Sequence, residues 1–251
     1  STHPVMMQRV CGLRMITRTI LSTAKAGIQK IIIVTNAQDQ TVGPFVLKKK
    51  WPVVVEGVVC DESVRSEGAA LLSLKEQLTE TFILILPDVI FDHAIIHHLI
   101  EADLQSHQAL LAVDFNTARV FDKNITHKVD VDGEVVRAVH PTLAQFKAVS
   151  THLFLLSPAF FATPPESIKE DGSCSLWEHF GRLAVGGVLG FFDMGKSYWQ
   201  IIKNKKHLRH AEHLLFESCR KPTDGLISKN INRHISLWLT QFLVRTPLTA
   251  N

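Results

Sequence analysis

Two carboxylates four residues apart, Asp88 and Asp92, follow the apolar run Phe82-Ile83-Leu84-Ile85-Leu86. A carboxylate at the carboxyl end of a buried strand is well placed to hold Mg²⁺ against a triphosphate. Mg²⁺ takes hard oxygen ligands and needs few of them from protein. The same spacing has a plainer reading, in which Asp92 caps the next helix and Asp88 solvates a loop. His93 and His97 form an i, i+4 pair that can bind zinc, but no third ligand stands nearby, so surface histidines are the simpler reading. His207, His210 and His213 recur every three residues beside Lys203, Lys205 and Lys206. They read as a solvated helix face, with a local metal or pH-sensitive role as the alternative. Gly186-Gly187 lacks the Lys-Ser/Thr of a phosphate loop and reads as a turn. Ser173 and Ser175 have no triad partner in a recognisable motif, and Lys48-Lys49-Lys50 reads as a charged loop.

The elements that must position these side chains alternate in type. Residues 15–26 have helical periodicity, with Ile16, Thr19, Ile20 and Thr23 on one side and Gly27 as terminator. Ile31-Ile32-Ile33-Val34 is a continuous β-branched run of the kind found in buried parallel strands. A weaker strand at 51–55, a helix at 66–78, a second buried strand at 82–86, a helix at 92–103 and a strand at 108–114 follow. This alternation predicts an α/β fold with a doubly wound, mostly parallel sheet and its site at the strand carboxyl ends. Residues 129–139, turned at Asp132-Gly133, read as a hairpin and give the fold a small β insertion. A short strand at 153–156 and helices at 176–184 and 206–218 complete the pass.

At 251 residues the chain can bury one large domain with a short appendage, and 46% hydrophobic with 20% charged residues fits a folded protein. No run reaches the ~18 apolar residues of a spanning helix. The start, Ser1-Thr2-His3-Pro4, has neither a basic nor an apolar signal region, so export is not expected. Cys11, Cys60, Cys174 and Cys219 are scattered without zinc or disulfide spacing and read as reduced thiols of a cytoplasmic protein. The net charge of +3 conceals an asymmetry: residues 201–251 hold nine Lys and Arg against three Asp and Glu. Such a basic end is a solvated face or a neighbour of anionic lipid, where each basic residue contributes ~1 kcal/mol. Nucleic acid is a poor partner, since no aromatic stacking sheet or recognition helix is visible. Residues 230–244 would place Ile231, Ile235, Trp238, Leu239 and Phe242 on one stripe beside Arg233 and Arg245. That pattern suits an interfacial helix or packing on its own domain.

Several segments carry a family resemblance in order. Val10-Cys11-Gly12-Leu13, Arg18-Thr19-Ile20-Leu21 and Ala26-Gly27-Ile28 resemble the opening helix of sugar-nucleotidyltransferase-like (MobA-like NTP transferase) proteins. Ser66-Glu67-Gly68-Ala69-Ala70 resembles that family's base-reading loop, and Pro87-Asp88-Val89-Ile90-Phe91-Asp92 its metal-Asp segment. Val113-Asp114-Phe115-Asn116, Thr126-His127-Lys128-Val129 and 148–154 follow. The resemblance is strongest to the inositol-phosphate cytidylyltransferase branch, in which this domain is fused to a CDP-alcohol phosphatidyltransferase. The tail from Lys221-Pro222-Thr223-Asp224-Gly225 to Asn251 is similar to the start of that membrane enzyme. The resemblance implies a nucleotidyltransferase-like domain at 1–218 and a basic amphipathic lead-in at 219–251. It implies CTP or another NTP, an alcohol phosphate such as inositol phosphate, Mg²⁺ at Asp88, base recognition by Glu67, Gly68, Ala69 and Ala70, and Lys128 on the substrate phosphate. It also implies a site at the cytoplasmic face of a membrane.

Departures from the pattern are chemical. The sequence begins downstream of the family's first strand and Gly-rich phosphate loop, which is expected to leave neighbouring strand edges without partners. After Trp199-Gln200 the acidic positions of the second metal segment hold Ile201 and Lys203. An aliphatic side chain cannot ligate Mg²⁺ and an ammonium repels it. Ser150-Thr151-His152 stands where Asp-Thr-Gly is usual, and Val89 where His is usual. Two expectations follow: transfer of CMP from CTP to an alcohol phosphate, or a noncatalytic binding and scaffold domain for the fused transferase.

Overall fold

The structure, a computed structural model, describes residues 4–219 apart from 63, 65 and 163–173. Ser173 and the tail at 220–251, with its expected interfacial helix, lie outside the described residues.

Two short strands, β1 (Arg9–Val10) and β2 (Leu13–Arg14), lead into α1 (Met15–Lys25), whose Met15, Ile16 and Ile20 are fully buried. Next come β3 (Lys30–Asn36), α2 (Val42–Leu47) and β4 (Val54–Cys60). The strand expected at 51–55 begins later because Pro52 has no N–H to give to a ladder. The helix α3 (Glu67–Leu72) is shorter than expected and runs on into hydrogen-bonded turns to Leu78. Then follow β5 (Phe82–Ile85), β6 (Val89–Phe91) and α4 (His93–Glu101), which Asp92 caps by accepting the Ala94 N–H at 3.0 Å. The remaining elements are β7 (Ala109–Asp114), β8 (Lys128–Asp132), β9 (Val135–His140), β10 (Ala148–Leu156), α5 (Leu176–Val185), β11 (Leu189–Asp193), β12 (Trp199–Ile201) and α6 (Lys205–Ser218). Gly133, at φ +57°, makes the expected hairpin turn between β8 and β9.

The main sheet has six strands in the order β5-β10-β7-β11-β9-β8, and β10 also pairs with β8. The strands β10, β7, β11, β9 and β8 therefore close into a small barrel that absorbs the expected β insertion. Among the described residues only β7 and β11 run parallel in this sheet, so it is mixed rather than mostly parallel. The cause is β10, which enters antiparallel between β5 and β7.

Alternation along β7 and β10 builds three layers. Leu111, Val113, Phe154 and Leu156 face one way and pack with Phe180 and Leu183 of α5. Leu110, Ala112, Leu153 and Leu155 face the other and pack with Ile95, Ile96 and Leu99 of α4.

The strands β3 and β4 form a separate parallel pair, in register from Lys30↔Val54 to Asn36↔Cys60. Ile16 and Ile20 of α1 and Val42 and Val46 of α2 cover it. Among the described residues β3 pairs with β4 alone and β5 with β10 alone. The aliphatic run Ile31-Ile32-Ile33-Val34 is consequently half-buried, not enclosed as its composition led us to expect.

Candidate functional site

Strand β10 changes partner partway along one edge. Ala148 and Val149 pair with β8, whereas Leu153 to Leu156 pair with β5. At the change the register against β7 shifts between Ser150 and Phe154, and His152 takes the left-handed backbone with φ +67°. Histidine tolerates this region better than most residues, and glycine best of all. The outcome is a side chain aimed out of an otherwise regular strand.

That side chain reaches Asp88, between β5 and β6. The His152 Nδ1–H donates to Asp88 Oδ1 at 2.8 Å, and Lys203 Nζ donates to Asp88 Oδ2 at 2.6 Å. Asp88 is 7% exposed and His152 4%, while the Lys203 side chain is half exposed. Burial alone would raise the Asp88 pKa. The His152 hydrogen bond and charge, joined by those of Lys203, outweigh it and hold the carboxyl down at about 2.

The backbone beneath Lys203 is fixed without its side chain. The Ile202 N–H donates to the Asp88 carbonyl at 2.7 Å, and the Lys203 N–H to His207 Nδ1 at 3.1 Å. With Nδ1 accepting, His207 Nε2–H faces Asp122 Oδ2 at 3.2 Å. Asn204 caps α6 by accepting the N–H groups of Lys206 and His207. His207 is thus a buried structural group, not part of the solvated face expected for it; His213 is exposed and His210 stacks on Phe121.

Beyond His152 the row continues into an aromatic wall. His127 lies flat on Trp177, ring centroids 3.5 Å apart, and 6.2 Å from His152. Desolvation, with the nearby charges of His152, His140 and Lys203, lowers the His127 pKa to about 3. His127 Nδ1 and His152 Nε2 are buried without a hydrogen-bond partner in the structure.

The other expected site residues have neighbours of their own. Lys128 opens β8 with its ammonium 5.3 Å over the Phe146 ring. Glu67, Gly68, Ala69 and Ala70 form the start of α3, where Ser66 Oγ accepts the Ala69 N–H and donates to the Cys174 carbonyl. Gly68 packs so tightly there that a Cβ would lie 2.4 Å from that carbonyl oxygen. Among the described residues, no hydrogen bond or ion pair joins either group to Asp88. His93 pairs with Asp92 and His97 with Glu101, not with each other. A separate pocket of about 200 Å³ has Asp114, Arg119, Phe121, Tyr198 and His210 in its wall. Its Arg119 is engaged with Asp114 and the Gly195 carbonyl.

The Asp88 donor set does not fit Mg²⁺. Both carboxylate oxygens are taken, one by a cation, and the neighbouring positions offer Ile201 and Lys203. Among the described residues no cluster of three or more His, Cys, Asp or Glu could hold a metal ion. Sequence reasoning identified Asp88 and the change at Lys203, but not their contact, and it missed His152 and His127 as members. The available signal was His152 at a position where glycine is usual.

No protein-family model matches the chain. It is 22% identical over 243 residues to the bifunctional IPC transferase and DIPP synthase of Aquifex aeolicus, covering 96% of the chain and 54% of that protein. For the Rubrobacter xylanophilus protein of the same description the identity is 27% over 257 residues, with 99% and 56% covered. The chain spans about half the length of the curated relatives it matches. Among solved structures, the inositol-1-phosphate CTP transferase from T. maritima superposes with a TM-score of 0.68 at 16% identity, covering 84% of this chain and 87% of that one. HddC from Yersinia pseudotuberculosis gives 0.68 at 18%, covering 86% and 91%. The chain has a nucleotidyltransferase-like α/β fold, related at low sequence identity to the bifunctional IPC transferase and DIPP synthases.

Proposed function

We propose that this chain is a noncatalytic binding and scaffold domain of nucleotidyltransferase descent, working beside a CDP-alcohol phosphatidyltransferase. The observation that supports this is the Asp88 carboxylate, with His152 on one oxygen and Lys203 on the other. In an active relative of this design, a phosphate oxygen of an alcohol phosphate attacks the α-phosphorus of CTP and pyrophosphate leaves. The reaction depends on neutralising charge on the phosphates. Here Asp88 neutralises a lysine instead.

The ligands that fit the resemblance are CTP or another NTP, read by the backbone of residues 67–70, and an alcohol phosphate such as inositol phosphate near Lys128. The basic tail would meet the anionic cytoplasmic face of a membrane. The test is pyrophosphate release from CTP and inositol phosphate with Mg²⁺, using protein shown to be folded by its melting transition. We expect none above buffer. Release that requires inositol phosphate and disappears in Asp88→Ala would overturn the reading and favour CMP transfer.

A further inference from the structure

Among the causes of the misfit at Asp88 is an ammonium group, that of Lys203. Asp88 is buried, already ionised, and presented by rigid backbone between two strands. Such a group attracts divalent cations unless another cation is nearer. His152 occupies Oδ1 through its Nδ1–H, which orients the carboxylate. Lys203 brings its ammonium charge to Oδ2, at 2.6 Å.

We infer that Lys203 is a tethered cation that stands in the place of a divalent ion and keeps such ions off Asp88. This deepens the noncatalytic reading of the same site. One position, 203, then decides whether the domain is metal-dependent. An incoming Mg²⁺ or Mn²⁺ would have to displace an ammonium that its own side chain tethers beside the carboxylate, and would meet its repulsion afterwards. The Lys203 side chain is half exposed, and its ammonium needs one of its three donors for Asp88. It therefore bridges the carboxylate to the outside, with its other donors open to an anionic oxygen.

The backbone supports the exchange of this one side chain. Ile202 is bonded to the Asp88 carbonyl, the Lys203 N–H to His207, and Asn204 starts α6 through its own cap. None of these contacts uses the Lys203 side chain, so a carboxylate introduced at 203 would start from the same place, beside Asp88.

The experiment titrates Mn²⁺ into the full chain without nucleotide and follows the free-ion signal by electron paramagnetic resonance. The proteins are wild type, Lys203→Asp, the longer Lys203→Glu and the uncharged Lys203→Met, each also with Asp88→Asn. We expect wild type to leave Mn²⁺ free. We expect a folded acidic variant to bind it more than about tenfold more tightly, and Asp88→Asn to remove that gain. Lys203→Met should bind between the two, which keeps the idea testable if neither acidic variant folds. Wild-type binding that matches the acidic variants and depends on Asp88 would overturn the inference. So would folded acidic variants that leave the ion free, or a folded Lys203→Met no better than wild type. Because no nucleotide is present, pyrophosphate release by wild type would sink the noncatalytic reading without deciding this result.

Discussion

Acid should weaken this protein through His127 well before it reaches the carboxylates. His127 lies on Trp177 with Nδ1 buried and unpartnered, and its pKa falls from an ordinary 6.5 to about 3. The folded state thus refuses a proton that the unfolded chain accepts. The depressed folded value makes the contribution complete above the unfolded pKa and lost as pH falls toward the folded one. Its window is pH 6.5 down to about 3. Linkage across these two values makes the loss about 2 kcal/mol between pH 7 and pH 5. That is a large share of a typical domain's 5–15 kcal/mol. Phenylalanine at 127 keeps a flat ring on Trp177 and removes the titration. Urea unfolding at pH 7 and pH 5 should show wild type losing at least about 2 kcal/mol, and His127→Phe losing about 2 kcal/mol less over the same interval. His179 and His210 also have lowered pKa values and supply a background slope common to both proteins. Equal losses in wild type and His127→Phe would refute the burial argument.

Two paired substitutions probe the backbone. Gly68→Ala forces a Cβ against the Cys174 carbonyl and should cost about 1–3 kcal/mol, whereas Gly181→Ala, inside α5 with open space around it, should gain about 0.5–1 kcal/mol. Opposite shifts in thermal midpoint are expected, and a neutral Gly68→Ala would mean the segment at Cys174 yields easily. At His152, both Ala and Gly remove the bond to Asp88, but only Ala keeps a side chain in the left-handed backbone. Denaturant titration should find His152→Gly more stable than His152→Ala by about 1–2 kcal/mol; the reverse order would mean the strand relaxes out of that conformation.

Local pattern carried most elements. The β-branched run at 31–34, the apolar runs at 82–86 and 108–114, the Asp-Gly turn and the Asp92 cap each became a strand, turn or cap as expected, but of the three strands only β7 is buried, β3 and β5 being half-buried. What failed depends on partners distant in the chain. The 153–156 strand is the end of a nine-residue β10, because Ala148 and Val149 pair with β8 and the polar Ser150-Thr151-His152 between is buried. The helix α2 went unread since Gly43-Pro44 breaks the usual pattern, yet proline suits a first turn and Asp39 accepts the Val42 and Gly43 N–H groups there. The candidate site was half legible. Residue types flagged Asp88 and Lys203, but their contact is made across more than a hundred residues, and only tertiary structure brings His152 to the same carboxylate.

The division between the β3–β4 pair and the six-stranded sheet has a consequence for how the molecule opens. No strand ladder crosses that boundary among the described residues, so the two parts are joined by side-chain packing around α1 and by chain continuity. Ladder bonds make a sheet break as one unit, while packing alone lets neighbours part separately. Amide protons of 30–36 and 54–60 should therefore exchange with solvent deuterium in a step of their own, ahead of those in β7 and β10. Within the Asp88–His152–Lys203 cluster, His152 sits on β10 of the slower sheet, whereas Lys203 follows β12, which pairs with β6 in a ladder of its own.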